Sequence, residues 1–131
     1  MSFGKRELDR PRPEIDFPGE TPPTDLVIED IIEGTGKAVT PGTPIACHYV
    51  GVAWSTGAEF DASWNRGQPL DFTAGVGQVI EGWDQGLLGM KVGGRRRLEI
   101  PPHLAYGETG AGNDIGPNET LIFVVDLVEV R

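Results

Sequence analysis

The 131-residue chain has one cysteine, Cys47, and two histidines, His48 and His103. A single cysteine excludes an intrachain disulfide, and so few cysteines and histidines leave no zinc-ligand spacing. Cys47 and His48 are neighbours, so on a strand their side chains point to opposite faces and form no nucleophile–base pair. Basic residues are also scarce, 11 against 20 acidic ones, for a net charge of −9. Nucleic acid and anionic membranes both call for a positive surface, so neither is expected as a partner. The longest uninterrupted apolar run is residues 121–125, far short of the roughly 20 residues that span a bilayer. The first twenty residues lack the apolar stretch of a secretory signal. These absences together fit a reducing cytoplasm, and nothing calls for a metal or an organic cofactor.

What is present suits one packed domain. Hydrophobic residues make up 38% of the chain and charged residues 24%, which is ordinary for a globular protein of this length. Residues 1–24 stand apart, with five of the eleven prolines, nine charges, and only Met1, Phe3, Leu8, Ile15 and Phe17 apolar. Such a segment buries too little surface to offset its ordering entropy, so a flexible or extended arm is expected there. It holds 4 of the basic and 5 of the acidic residues, so 7 and 15 remain and residues 25–131 carry −8. The acidity belongs to the folded part.

From Asp25 onward strand signals dominate. Leu26-Val27-Ile28 and Ile31-Ile32 lead to a Gly34-Thr35-Gly36 turn. Residues 44–54 are β-branched and aromatic enough for a long strand, followed by a Ser55-Thr56-Gly57 hairpin turn into residues 58–61. Residues 70–73 and 94–100 are further candidates, the second stopped by Pro101-Pro102. Residues 120–130 alternate, with Leu121, Phe123, Val125 and Leu127 on one face. A single helix is expected where Ile80, Trp83 and Leu87 form one apolar stripe. Gly82, Gly86 and Gly89 leave it weak by itself, so packing must hold it. The sum is an α+β domain, an antiparallel sheet wrapped over one short helix. Residues 101–119 form a long Gly- and Asn-containing loop, and loops of that length tend to be functional.

Three motif-like runs fail on inspection. Gly36-Lys37 suggests a phosphate loop, but Ala38 replaces the hydroxyl residue and Ile31 stands where glycine is needed. Gly75-Val76-Gly77 lacks the third glycine of a dinucleotide fingerprint, since Ile80 occupies that place. Arg95-Arg96-Arg97 lies on a strand next to Glu99 within an acidic domain, so a solvated, salt-bridged strand is expected. Cys47 is expected in the core and His48 on the other face, exposed or partly covered.

There remain aromatic residues on separate elements: Tyr49, Phe60, Phe72, Trp83, Tyr106 and Phe123. With them come ordered segments: His48-Tyr49-Val50-Gly51, Phe60-Asp61-Ala62-Ser63, Val79-Ile80-Glu81-Gly82-Trp83, Val92-Gly93, Arg97-Leu98-Glu99-Ile100-Pro101, Leu104-Ala105-Tyr106-Gly107 and Leu121-Ile122-Phe123-Val124-Val125-Asp126-Leu127. In these segments, nearly the whole of residues 26–130, the chain resembles the FKBP-type peptidyl-prolyl cis–trans isomerases. The resemblance implies a curved antiparallel sheet of five or six strands around one short helix. It also implies a pocket walled by Tyr49, Phe60, Asp61, Phe72, Val79, Ile80, Tyr106 and Phe123, with Trp83 as floor. Leu70 stands at a wall position that is often aromatic in the family. Ile115 would add a rim contact and Arg66 a cation beside Asp61. The loop residues Ala111, Gly112, Asn113 and Asp114 are smaller and more polar than the family's usual ones, and Trp64 is an added aromatic near the pocket mouth.

The function so implied is rotation about Xaa-Pro bonds of polypeptides, assisting folding, with Asp61, Tyr106, Phe123 and Trp83 as the catalytic set. Rapamycin- or tacrolimus-like macrolides, whose pipecolyl ring imitates proline, are implied ligands. No proton transfer is required, so activity should be nearly flat between about pH 6 and 8, where only the two histidines ordinarily titrate. The alternative is a non-catalytic module that holds proline-containing segments or acts as a small chaperone. A purely structural role for the aromatics fits poorly with Asp61, because a carboxylate in an apolar wall costs stability unless paired or used. A monomer is expected, since no long apolar stretch is left for an interface.

Overall fold

The computed structural model describes residues 10–16, 19 and 21–131. Among the described residues, six strands and one α-helix run in the order β1 (Val27–Ile32), β2 (Pro44–Ala53), β3 (Glu59–Ala62), β4 (Leu70–Thr73), α1 (Glu81–Gly86), β5 (Arg95–Ile100) and β6 (Leu121–Val130). Two 3-10 turns, Ser63–Arg66 and Pro102–Leu104, lie between strands. All pairings are antiparallel, in the order β1-β5-β6-β2-β3, with β4 also on β2.

β2 and β6 form the spine, paired from Ile45–Val130 to Ala53–Leu121. β3 and β4 share the other edge of β2: Val50 meets Ala62, and Cys47 meets Leu70. That edge is therefore one broken strand, interrupted by the Ser63–Arg66 turn. Register shifts in β1–β5, β2–β3 and β2–β6 mark bulges, which bend strands and raise local twist. The sheet curls over α1 accordingly.

The alternation expected for residues 120–130 holds: Leu121, Phe123, Val125 and Leu127 join Ile45, Cys47 and Tyr49 in the core beneath α1. The other face is buried as well, with Ile122, Val124, Val50 and Val52 all less than 8% exposed. Asp126 on that face is fully buried. The expectation of a flexible arm falls partly on residues outside the described ones. Its described part, residues 10–16, 19 and 21–24, has neither helix nor strand, yet Arg10 bonds Asp126 and Arg12 bonds Asn65.

The three arginines of β5 differ from the solvated strand that charge patterning suggested. Each is salt-bridged, Arg95 to Asp126, Arg96 to Asp30 and Arg97 to Glu99, but their side chains are only 10–18% exposed. Arg96 points to the helix side and donates to the backbone oxygens of Gly86 (2.8 Å) and Leu88 (3.2 Å). It thus satisfies carbonyls that the end of α1 would otherwise leave without partners. The helix is held by packing, as its glycines require: Trp83 and Leu87 are buried, and Gly82 and Gly86 rest directly on Ile100 and Leu98.

Candidate active site

An open cleft of about 190 Å³ lies between α1 and the concave face of the sheet. Tyr49 from β2, Phe60 and Asp61 from β3, Leu70 from β4 and Phe123 from β6 form the sheet side. Trp83 of α1 and, just before the helix, Val79 and Ile80 close the other side, and Tyr106 from the loop after β5. Gln78 also lines the cleft, a residue for which the sequence carried no signal.

Trp83 is the hub. Its ring meets Tyr49 edge-on at 5.0 Å and Phe123 edge-on at 5.2 Å, and is tilted on Phe72 at 5.6 Å. Phe60 meets Phe123 edge-on at 5.5 Å. Such contacts contribute roughly 0.5–1.5 kcal/mol each beyond area burial, so the rings support one another. Gly51 makes this possible, because a Cβ there would stand 2.7 Å from both the Phe60 and the Phe123 ring. The Trp83 indole N–H is buried and has no hydrogen-bond partner among the described residues.

Phe72, expected at the wall, and Ile115, expected at the rim, both stand elsewhere. Phe72 is not on the cleft surface but behind Trp83, buttressing the floor. Ile115 is buried in the core cluster, 6% exposed, and paired with Ala111 through two backbone hydrogen bonds. That tight loop turns its side chain inward. Trp64 is likewise not at the cleft; it stacks on His48 at 4.2 Å, on the opposite face of the sheet. His48 is therefore buried rather than exposed, at 7%.

The polar part of the site is one linked group. The Tyr49 hydroxyl donates to Asp61 Oδ2 at 2.5 Å, and Arg66 donates to Asp61 Oδ1 at 2.7 Å. A second arm of the Arg66 guanidinium donates to the Tyr49 oxygen at 2.8 Å. Burial pushes the Asp61 carboxyl up, but the bonds from Tyr49 and Arg66 outweigh it and hold it below the ordinary value. Burial and the bond to Asp61 push the Tyr49 phenol up, with Arg66 opposing. Burial, then the Asp61 charge, does the same for Tyr106. At neutral pH the cleft thus holds one carboxylate and two neutral phenols.

Further hydrogen bonds hold the surroundings of the cleft in place. Ser63 Oγ accepts the Tyr49 N–H at 2.7 Å and lies 2.8 Å from His48 Nδ1, tying the turn after Asp61 back to β2. Asp84 accepts the N–H groups of Gly75 and Gly77, both at 2.9 Å. Gln78 accepts that of Thr73 at 2.8 Å, so the loop carrying Val79 and Ile80 is pinned at both ends.

A concave, mostly apolar slot with one fixed carboxylate and a phenol at its rim has the form of a small-ligand site. The comparisons with known proteins agree. The family model described as FKBP-type peptidyl-prolyl cis-trans isomerase matches residues 35–128. An FK506-binding protein of Streptomyces anulatus is 66% identical over 120 residues, covering 91% of this chain and 97% of that protein. A probable FK506-binding protein of Corynebacterium glutamicum is 49% identical, covering 89% of this chain and 97% of the other. Among solved structures, AtFKBP13 superposes with a TM-score of 0.76 at 40% identity, covering 84% of this chain and 96% of its own. FkpA from Escherichia coli gives 0.74 at 42% identity, with 81% of this chain and 48% of that one covered. The chain belongs to the FKBP-type peptidyl-prolyl cis–trans isomerases, a family of enzymes. Among the described residues no helix is long and apolar enough to cross a membrane.

Proposed function

We propose that the cleft accelerates rotation about Xaa-Pro bonds of polypeptide segments, in the service of protein folding. Rotation breaks no covalent bond, and its barrier of about 18–20 kcal/mol is the lost amide resonance. Uncatalysed exchange takes roughly 10–100 s. A catalyst need only hold the twisted amide better than either planar form. In the twisted state the carbonyl loses its dipolar resonance form and the nitrogen becomes pyramidal. An apolar, water-poor slot favours this less polar species.

Each residue has a role in this reading. Trp83 and Phe123 pack the proline ring, with Phe60 and Val79 beside it. The Tyr106 hydroxyl donates to a substrate carbonyl, and the Ile80 N–H is the second donor. Asp61, held by Tyr49 and Arg66, presents a fixed negative edge toward the amide carbonyl carbon. Leu70 sets the width of one wall, and with it the preference for the residue before proline. The observation that carries the proposal is the Tyr49–Asp61–Arg66 group at the wall of a cleft floored by Trp83. A carboxylate in that wall, bonded on both oxygens yet still 43% exposed, is positioned for a ligand rather than for the core.

The test is the rate of cis–trans exchange in a Xaa-Pro peptide, followed by NMR exchange, with and without the protein and then with rapamycin added. Acceleration abolished by the macrolide supports activity, cleft and macrolide binding together. Absence of acceleration by folded protein overturns the catalytic reading and leaves a proline-binding module.

A further inference from the structure

We infer that Arg12, in the segment before β1, is a positioning residue for the Asp61–Arg66 pair, clamping the corner that carries it from the outer side of the sheet. The inference rests on the reading of Asp61 given above.

That corner is the junction of β3 with the Ser63–Arg66 turn. In the β2–β3 ladder Gly51 pairs with Asp61 and Val52 with Glu59, so Phe60 is the extra residue of a bulge. Cross-strand partners share a face. Asp61 therefore faces the cleft with Gly51, while Glu59, only two residues earlier, faces outward with Val52. An unbulged strand would have put both on one side. The same corner is thus crossed twice. On the cleft side Arg66 of the turn binds Asp61 of β3. On the outer side Asn65 of the turn donates to Glu59 of β3 at 3.1 Å.

Arg12 closes the outer crossing. One of its nitrogens donates to Asn65 Oδ1 at 2.8 Å and another pairs with Glu59 Oε1. Its own position is set two residues away. Arg10 donates to the fully buried Asp126 at 3.1 Å and to the Gly93 oxygen at 2.8 Å, and Arg95 donates to the Pro11 oxygen at 2.9 Å. The segment is thereby anchored to β5 and β6, and Arg12 transmits that anchorage to the residues flanking Asp61 and Arg66. An arginine suits this, since one planar fork serves two acceptors on different segments.

Arg12 and Glu59 are 39% and 35% exposed, and ion pairs at that exposure add little to global stability. Positioning and stability are therefore separable. Three proteins decide the matter: the wild type, Arg12→Ala and Arg12→Lys. The readouts are thermal midpoint, amide hydrogen exchange across residues 59–67, and Xaa-Pro turnover resolved into kcat and KM. Arg12→Ala is expected to keep the midpoint, to speed exchange in residues 59–67, and to lower kcat/KM roughly fivefold, well short of the roughly 10²-fold that a 1 Å misplacement costs. Arg12→Lys, with one donor group for two acceptors, should recover part of both losses. In a Glu59→Ala, Asn65→Ala background, where both acceptors of Arg12 are gone, Arg12→Ala should change turnover no further. Exchange and kcat/KM both at wild-type values in Arg12→Ala would overturn the inference, as would an undiminished loss in the doubly substituted background. A wild type without turnover would instead sink the isomerase reading, and the exchange data would still decide whether the clamp exists.

Discussion

Gly82 lies against Ile100 so closely that a Cβ at position 82 would stand 2.4 Å from Ile100 Cγ2. This contact brings α1 down onto β5 and, one residue on, sets Trp83 at the floor of the cleft. Alanine gains about 1 kcal/mol over glycine in a helix interior, whereas forcing extra volume into a packed core costs about 1–3 kcal/mol. The clash should win, and Gly82→Ala is expected to lower the urea midpoint. In an Ile100→Ala background the sign should reverse, because room then exists and only the helix gain remains. A stabilised Gly82→Ala in the wild-type background would show that the helix is free to lift.

Asp61 offers the most direct test of the site. Its side chain is half-exposed and contributes no core volume, so Asp61→Ala should leave the fold intact by circular dichroism. Hydrogen bonds to charged groups are worth about 1.5–3 kcal/mol, so turnover should fall roughly 10- to 100-fold. Tyr49→Phe removes one of the two bonds and should lose less. Unchanged turnover in Asp61→Ala would remove the carboxylate from the mechanism.

Much of this arrangement was legible in the chain because it is periodic. The spacing of Ile80, Trp83 and Leu87 marked α1, and alternation through residues 120–130 marked β6 and its inward set. The glycines of α1 mark a helix that packing must hold, and the structure adds that Gly82 and Gly86 are where the packing occurs. The features that escaped depend on partners far along the chain. Burial of Arg95 and Arg96 follows from Asp126 and Asp30, 31 and 66 residues away, and no local pattern reports such a pairing. The inward turn of Ile115 follows from a two-bond bridge to Ala111, and the displacement of Trp64 from its stacking on His48. The bulge at Phe60, which separates Asp61 from Glu59, leaves no trace in hydrophobic alternation because both residues are charged.

The pH dependence follows from the directions of three shifts. Asp61 titrates below its ordinary value of 3.8, so its contribution to stability is complete above that pH and is lost as pH falls through the lowered value. Tyr49 and Tyr106 titrate above 10.0, so the preference for their neutral forms is complete below that pH and is lost as pH rises through the raised values. Between these limits none of the three changes charge. The kcat/KM for a Xaa-Pro peptide should therefore be flat from about pH 6 to 8, the range in which an unperturbed histidine titrates. A bell-shaped profile would place a proton transfer in the mechanism and contradict it.

Cys47 provides a control on the core independent of the cleft. It is fully buried on β2, and burial, with Asp126 and Asp71 adding to it, drives its thiol far above the usual range. The thiolate is the reactive form, so native protein at pH 8 should resist an alkylating reagent over hours and react fully in denaturant. Because Cys47 points into the core beneath α1 rather than into the cleft, saturating an active-site ligand should slow labelling only as far as it slows global opening. The two are separable by measuring labelling against urea: a rate that tracks the global unfolding constant confirms a sealed core, whereas rapid labelling without denaturant would mean that β4 opens locally from β2 at Leu70, the residue paired with Cys47 and a wall of the cleft.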